Sequence, residues 1–298
     1  MRTIVKWAGS KSRVMDKLKE HLPAGDRLVE PFAGSCSVMM NTDYPAYLVA
    51  DINPHLINLY NQIKENPEWF IADARHFFEK RNTPEDYYAF RAEFNAGVYP
   101  YFSSLIFLYL NRHCFNGLCR YNAKGEFNVP YGKYKKPYFP EDEIRAFAEK
   151  AKRATFICAS FIETLQLVQA GDVIYCDPPY LPQTATSDFS NYHTAGFTYD
   201  EHQRLKRLLR RLADRSYPVV VSNSATPDAM SMYSHAGFDI EKFSARRSIG
   251  ASAGCAQSAE EIIAKITPKN PQYLLPDPAV DSLLMAGFPM REDCEVTF

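Results

Sequence analysis

Apolar residues along this chain follow two rhythms. Short β-favouring runs, each closed by a polar or acidic residue, sit at Leu28-Val29, Tyr47-Leu48-Val49-Ala50, Thr155-Phe156-Ile157-Cys158-Ala159, Val173-Ile174-Tyr175-Cys176 and Val219-Val220-Val221. They read as buried strands. Helical spacing lies before and between them: Val14, Leu18 and Leu22, then the polar, amphipathic stretch Glu141 to Lys152, then residues 200–214. Strands alternating with helices predict an α/β fold built on a largely parallel sheet. Residues 57–110 break the alternation, being helical throughout with polar turns and an apolar end at Leu105-Ile106-Phe107-Leu108-Tyr109-Leu110. They read as a helical insertion in the α/β frame.

The run ending at Cys176 organises the rest. Gly171-Asp172 turns into it, and Asp177-Pro178-Pro179-Tyr180 closes it abruptly, because prolines cannot extend a ladder. Asp177 is thereby delivered to the carboxyl edge of the sheet, where open α/β sheets bind ligands. A carboxylate beside a rigid proline carbonyl offers two acceptors, and Tyr180 offers a flat face. That set suits an exocyclic amino group on a heterocycle. The plainer alternative for four residues is an ordinary Asp-Pro turn.

Two further loops carry candidate chemistry. Lys6-Trp7-Ala8-Gly9-Ser10-Lys11 precedes a helix start, so its backbone N–H groups suit a carboxylate, with Lys11 adding charge and Trp7 a wall. A structural loop around a buried Trp fits those residues equally. Strand Arg27 to Glu30, the small-residue turn Pro31-Phe32-Ala33-Gly34-Ser35-Cys36-Ser37, a helix, and a second strand ending at Asp51-Ile52-Asn53 form a βαβ unit. Its strand-end acid is suited to the hydroxyls of an adenosine ribose, although GxGxxG is missing.

Between Arg112 and Lys136 the chain has six Lys/Arg and one acid, interleaved with Phe and Tyr. Two short runs flank Asn122-Ala123-Lys124-Gly125 and predict a β-hairpin. Such a ribbon fits the DNA major groove, where Arg reads guanine and lysines meet phosphates. Formal net charge is −1, so any polyanion must be met by a local patch of this kind. The 20 Phe and 19 Tyr supply stacking surfaces as well as core. Seven cysteines without a CxxC pair point to reduced thiols in a cytoplasmic setting, and no His/Cys spacing suggests a metal site. Neither a membrane-length apolar run nor a signal-peptide h-region is present in the sequence.

Taken in order, Lys6-Trp7-Ala8-Gly9, Glu30-Pro31-Phe32-Ala33-Gly34, Asp51-Ile52-Asn53 and Asp177-Pro178-Pro179-Tyr180 resemble the Dam-type DNA adenine-N6 methyltransferases, over about Lys6 to Ile266. The resemblance implies a Rossmann-like S-adenosylmethionine-dependent methyltransferase sheet (residues 1–56 and 145–268) with an inserted helical target-recognition domain (57–144) carrying a β-hairpin. It leaves residues 269–298, Pro-rich and then acidic, as a tail without a counterpart. It implies double-stranded DNA as partner, GATC as target, and S-adenosyl-L-homocysteine as product; the sequence leaves the oligomeric state open, with a monomer as the expectation. Asp177, Pro178, Pro179 and Tyr180 are then catalytic. Trp7, Ala8, Gly9, Lys11, Pro31, Phe32, Gly34, Ser37, Asp51, Ile52 and Asp177 hold the cofactor, and the end of the 155–160 strand borders its adenine. Lys6, Phe115, Asn116, Leu118, Arg120, Pro130 and Tyr134 contact DNA, Phe115 as a wedge beside the extruded adenine and Lys6 toward an outer guanine.

The sequence departs from the family pattern in places. Cys36 replaces the second glycine of Phe-x-Gly-x-Gly, at a cost of about 1 kcal/mol if that position needs a positive φ; Ser10 is a milder replacement in the first loop. Residues 246–258 keep an Arg-Arg pair without the basic cluster that often follows, which implies a weaker phosphate grip and lower processivity. The Thr/Ser-rich stretch 181–198 is long enough for a functional loop over DNA. Two rival readings stay open at this level: transfer to cytosine N4 or an RNA base, and a DNA-binding protein that has lost its cofactor.

Overall fold

A computed structural model describes residues 1–181, 197–246 and 258–268. The expected loop over DNA (residues 182–196), most of the Arg-Arg segment (247–257) and the tail (269–298) lie outside the described residues.

The five expected strands are present as β1 (Arg27–Glu30), β2 (Ala46–Asp51), β3 (Ala154–Cys158), β4 (Asp172–Cys176) and β5 (Val219–Ser224). Two more follow, β6 (Asp239–Arg246) and β7 (Ser258–Ile266), and the sheet runs β3-β2-β1-β4-β5-β7-β6. The first five strands pair in parallel, while β7 lies antiparallel to both β5 and β6. Because β1 pairs with both β2 and β4, strand order reverses beside it, and the crevice at the carboxyl ends of these strands is the natural ligand position of a Rossmann-like sheet.

Side-chain alternation divides the core between the two faces. Val173, Tyr175, Val220 and Ile263 join one cluster, while Ile174, Cys176, Val219, Val221, Ile262 and Ala264 join the other. Both faces are therefore covered, which explains why the strands read as continuous apolar runs. The second cluster takes its helical cover from α8 (Phe161–Gln166), α9 (Tyr199–Asp214) and α10 (Pro227–His235). The first takes α1 (Met15–Lys19), α2 (Ser37–Asn41) and a run of helices α3 (Pro54–Glu65), α4 (Pro67–Lys80), α5 (Pro84–Ala96), α6 (Pro100–His113) and α7 (Glu141–Ala151). Helices α3 to α6 each begin on a proline, whose fixed φ and missing N–H suit the first helical turn. At the opposite end of the sheet, Arg27 forks onto Asp172, Nε to Oδ1 at 2.9 Å and Nη2 to Oδ2 at 2.7 Å, fixing the β1–β4 register in which these two residues are paired.

The expected hairpin is an irregular antiparallel return. Isolated bridges join Cys114 to Tyr131 and Tyr121 to Phe127. The Phe115 N–H donates to Pro130 O (2.8 Å) and the Asn128 N–H to Arg120 O (3.1 Å). Two features prevent continuous strands: Asn116 (φ 55°) and Gly117 (φ 66°) are left-handed, and Pro130 has no N–H. The turn lies at Asn122 to Gly125, where Asn122 Oδ1 accepts from Lys124 N at 2.9 Å and Glu126 N at 3.0 Å. Arg112 does not belong to the basic face. It closes α6, is buried, and donates from Nε to Ile4 O at 2.8 Å and from Nη2 to Thr3 O at 3.0 Å, so it docks the N-terminal segment. Burial pushes its guanidinium down to about 10, still charged at neutral pH.

Candidate active site

Strand β4 is buried along its whole length and releases Asp177 at its carboxyl end, with the carboxylate partly exposed. Lys11 Nζ lies 2.6 Å from Asp177 Oδ2 and also donates to Gly9 O at 2.8 Å. The same ammonium stands 4.8 Å from the centre of the Tyr180 ring. Ser222 Oγ, from β5, donates to Asp177 Oδ1 at 2.8 Å. Tyr180 points its hydroxyl at Glu261 of β7, donating to Oε2 at 2.9 Å. Burial, followed by the charges of Asp177 and Glu261, holds that phenol well above its ordinary range, so it remains a donor. Leu181 N donates weakly to Asn223 Oδ1 at 3.4 Å, and Ser224 Oγ donates to Leu181 O at 3.0 Å, tying the residue after the tetrapeptide to β5.

Beside β4, β2 ends in Asp51, whose Oδ2 accepts from Gly34 N (2.9 Å) and Oδ1 from Asn53 N (3.0 Å). Asn53 in turn caps α3, its Oδ1 accepting from His55 N at 3.1 Å and Leu56 N at 3.2 Å. Asp-Ile-Asn thus fastens the acid between the β1 loop and a helix start. Gly34 (φ +45°) lies under Trp7, where a Cβ would meet the indole at 2.8 Å. Gly9 is the opposite case, since a Cβ there would project into open space. Ser37 Oγ accepts from Lys11 N at 3.1 Å, bringing the two loops together. Cys36 is left-handed (φ 55°, ψ 30°), so the position does carry the strain that a non-glycine residue incurs there. Burial drives its thiol well above the ordinary range, which leaves it protonated and unreactive. Glu30, fully buried below this loop, has Oε1 without a partner. Burial, with a smaller contribution from the Asp177 charge, pushes its carboxyl up to about 8.

On the hairpin, side chains alternate. Cys119, Phe127 and Val129 are buried, whereas Phe115, Asn116, Arg120 and Pro130 are exposed and Leu118 and Tyr134 half-buried. Arg120 Nε donates to Asn128 Oδ1 at 2.7 Å across the return, which orients the guanidinium outward from a fixed base. Lys6 Nζ sits 4.3 Å from the Tyr134 ring centre. Asn111 of α6 grips the Lys6 backbone in both directions, accepting from its N–H and donating to its O, each at 2.8 Å. Gly117 packs so close to Lys6 that a Cβ would fall 2.3 Å from Cδ.

Residues 7–249 match the family of D12 class N6 adenine-specific DNA methyltransferases. The chain belongs to that family. Among its relatives, the DNA adenine methylase of retron Ec67 from Escherichia coli is 57% identical over 266 residues, covering 89% of this chain and 91% of that protein. The DNA adenine methylase of Serratia marcescens is 48% identical over 265 residues, covering 88% and 97%. That of Escherichia coli K12 is 45% identical over 268 residues, covering 90% and 96%.

As a member of this D12 family, the protein methylates adenine N6 in DNA. The structure gathers Lys11, Asp177, Pro178 and Tyr180 at one strand end and Gly34, Asp51 and Trp7 at the adjoining loop, while Phe115, Asn116, Arg120 and Pro130 occupy the exposed side of the hairpin. Sequence reasoning assigned no role to Tyr175, Ser222, Glu261 and Asn111; the last three reach these groups from other elements, and Tyr175 does so from within β4 through Ser222. A polar Ser222-Asn223 pair ending an apolar strand was the available signal for one of them. Among the described residues no helix is long and apolar enough to cross a membrane, and no cluster of His, Cys, Asp and Glu is arranged to hold a metal.

Proposed function

We propose that this D12-family methyltransferase uses S-adenosylmethionine to methylate the adenine of GATC in duplex DNA, swinging that base out of the stack into the pocket at Asp177. The observation that carries the chemistry is the strand end itself: a carboxylate, a proline carbonyl and an aromatic face at the carboxyl edge of β4, with Lys11 touching two of them. The lone pair of adenine N6 is delocalised into its ring, so the amino group is a poor nucleophile. Asp177 and the Pro178 carbonyl accept its two hydrogens, localising the lone pair, while Pro179 stiffens the turn and Tyr180 stacks on the base. Positioning and preorganised acceptors supply most of the acceleration, without a covalent enzyme intermediate.

The residues present fit the cofactor. Asp51, already fixed by two backbone N–H groups, suits the ribose hydroxyls, with Ile52 beside it. The open space over Gly9, next to the Lys11 ammonium, suits a carboxylate. Trp7, Ala8, Pro31, Phe32, Gly34 and Ser37 frame the same end. When bound, S-adenosylmethionine supplies an electrophilic methyl group on a sulfonium and departs as S-adenosylhomocysteine. Lys11 occupies the face of Tyr180 and one oxygen of Asp177, so it must exchange those partners for the cofactor carboxylate before a base can enter.

For recognition, Arg120 reads guanine in the major groove, Leu118, Asn116 and Pro130 contact neighbouring bases, Phe115 fills the gap in the stack, and Lys6 and Tyr134 extend the contact outward. The region 57–144 is the target-recognition part, and 1–56 with 145–268 the catalytic part. The support is that the exposed hairpin residues are polar, basic or wedge-shaped while their neighbours are buried. The test is transfer from labelled S-adenosylmethionine to matched duplexes with one GATC or one GTAC. Label only in GATC, recovered as N6-methyladenine, is the expected result. Label in both overturns the readout, and GATC binding without label overturns catalysis in favour of a binding protein.

A further inference from the structure

We propose that Ser222 and Tyr175 are positioning residues for methyl transfer, a buried hydroxyl pair that fixes the rotation of the Asp177 carboxylate. This rests on Asp177 being the acceptor of the adenine amino group.

Strands β4 and β5 run side by side with Tyr175 opposite Val220 and Cys176 opposite Val221, so their next residues, Asp177 and Ser222, emerge together. Ser222 Oγ has one proton and donates it to Asp177 Oδ1 at 2.8 Å. The Tyr175 hydroxyl, 2.8 Å from Ser222 Oγ, must therefore be the donor in that contact. Each group has a single hydroxyl proton, so the chain runs one way: Tyr175 to Ser222 to Asp177. Both hydroxyls are buried, with residue exposures of 2%, and cannot turn to water instead.

The other oxygen of Asp177 is held by Lys11, a flexible side chain that must leave when a base docks. Rotation of an Asp carboxylate about its last torsion is soft. With Lys11 gone, the described side-chain contact that still sets the angle is Ser222. A neutral donor serves here, because it leaves the carboxylate its charge and its outward lone pair. A misplacement near 1 Å costs about a hundredfold in such transfers.

The test is steady-state kinetics on a GATC duplex with Ser222→Ala, Ser222→Thr, Tyr175→Phe and the double variant. Ser222→Ala should lower kcat by about 10- to 100-fold, with KM for DNA and cofactor affinity changed less than about threefold. Ser222→Thr should recover most of that loss. The double variant should match Ser222→Ala alone, because Tyr175 acts through Ser222. If Ser222→Ala does not fold, Ser222→Cys keeps the volume with a weak donor and must show the same fall in kcat. A kcat within twofold of the parent, a loss that threonine fails to recover, or independent effects of the two variants would overturn the relay. Asp177→Asn separates this from the site assignment. An inactive Asp177→Asn beside a normal Ser222→Ala removes only the relay, whereas an active Asp177→Asn removes the acceptor role itself.

Discussion

The proposed catalytic edge and the proposed recognition hairpin are positioned in opposite ways. At the edge, Asp177 directly follows a buried strand flanked by β5 and β1; its polar neighbours come from β5 and the N-terminal loop, and that of Tyr180 from β7. The hairpin has two isolated bridges instead of a ladder, and it is set by a left-handed Asn-Gly pair, the Arg120–Asn128 contact and the two hydrogen bonds between Asn111 and the Lys6 backbone. A sheet edge fixes a few atoms tightly, as transfer of one carbon requires. A side-chain-braced loop keeps its outward face polar and adjustable, as the proposed reading of a DNA groove requires. The two therefore ought to fail separately. Asp177→Ala is expected to reduce kcat about a thousandfold while duplex binding stays within about threefold, measured by single-turnover assays and titration. A parallel loss of DNA affinity would show that the two regions are one unit.

Gly117→Ala strikes the brace between them. Its φ of +66° and the 2.3 Å approach of a Cβ to Lys6 act together. A left-handed alanine and overpacking sum to a loss of roughly 3 kcal/mol, read from urea denaturation, with weaker DNA binding and intact cofactor binding. An unchanged midpoint would mean that the Lys6 contact yields freely and does not join hairpin to loop.

Arg120→Ala acts only on the hairpin and is expected to cost about 1–3 kcal/mol of discrimination, seen as transfer to sites altered at one base pair, with kcat on saturating GATC retained. Unaltered GATC preference would move the readout to another residue.

Legibility followed the same division. Strands β1 to β5 and the Asp177 strand end were readable because a buried parallel strand is a local apolar run and its closing acid is the next residue. The turn at Asn122 was readable from its own side chain. What sequence reasoning lost is set by topology. Ser222 meets Asp177 only because β5 lies next to β4, and Glu261 meets Tyr180 only because β7 returns antiparallel after a segment of small residues that masks its rhythm. Arg112 was counted with the basic face because it begins that run, but α6 extends through His113 and turns it toward Ile4.

The smallest expected effect separates the two regions by pH. Burial, with the nearby Asp177 charge, raises the Glu30 carboxyl from 4.5 to about 8, and its Oε1 is unpartnered. Between those values the folded chain keeps a proton that the unfolded chain has released. This contribution to stability is full below about 4.5, falls as pH rises, and is gone above about 8. The slope is about 1.4 kcal/mol per pH unit. Half-buried His55 and buried His113 and His202, each lowered to about 4, act in the opposite sense below 6.5, so the clean window is pH 6.5 to 8. There the parent should lose stability relative to Glu30→Gln, whose amide cannot ionise, in paired urea denaturation curves at the two ends of the window. Hydrogen exchange at the same two pH values, corrected for intrinsic rates, should show the protection lost in β1 and β4 before it is lost in the hairpin. Equal slopes for parent and variant would mean that Glu30 finds a partner for its charge, and the strain at this edge would then rest on Cys36 alone.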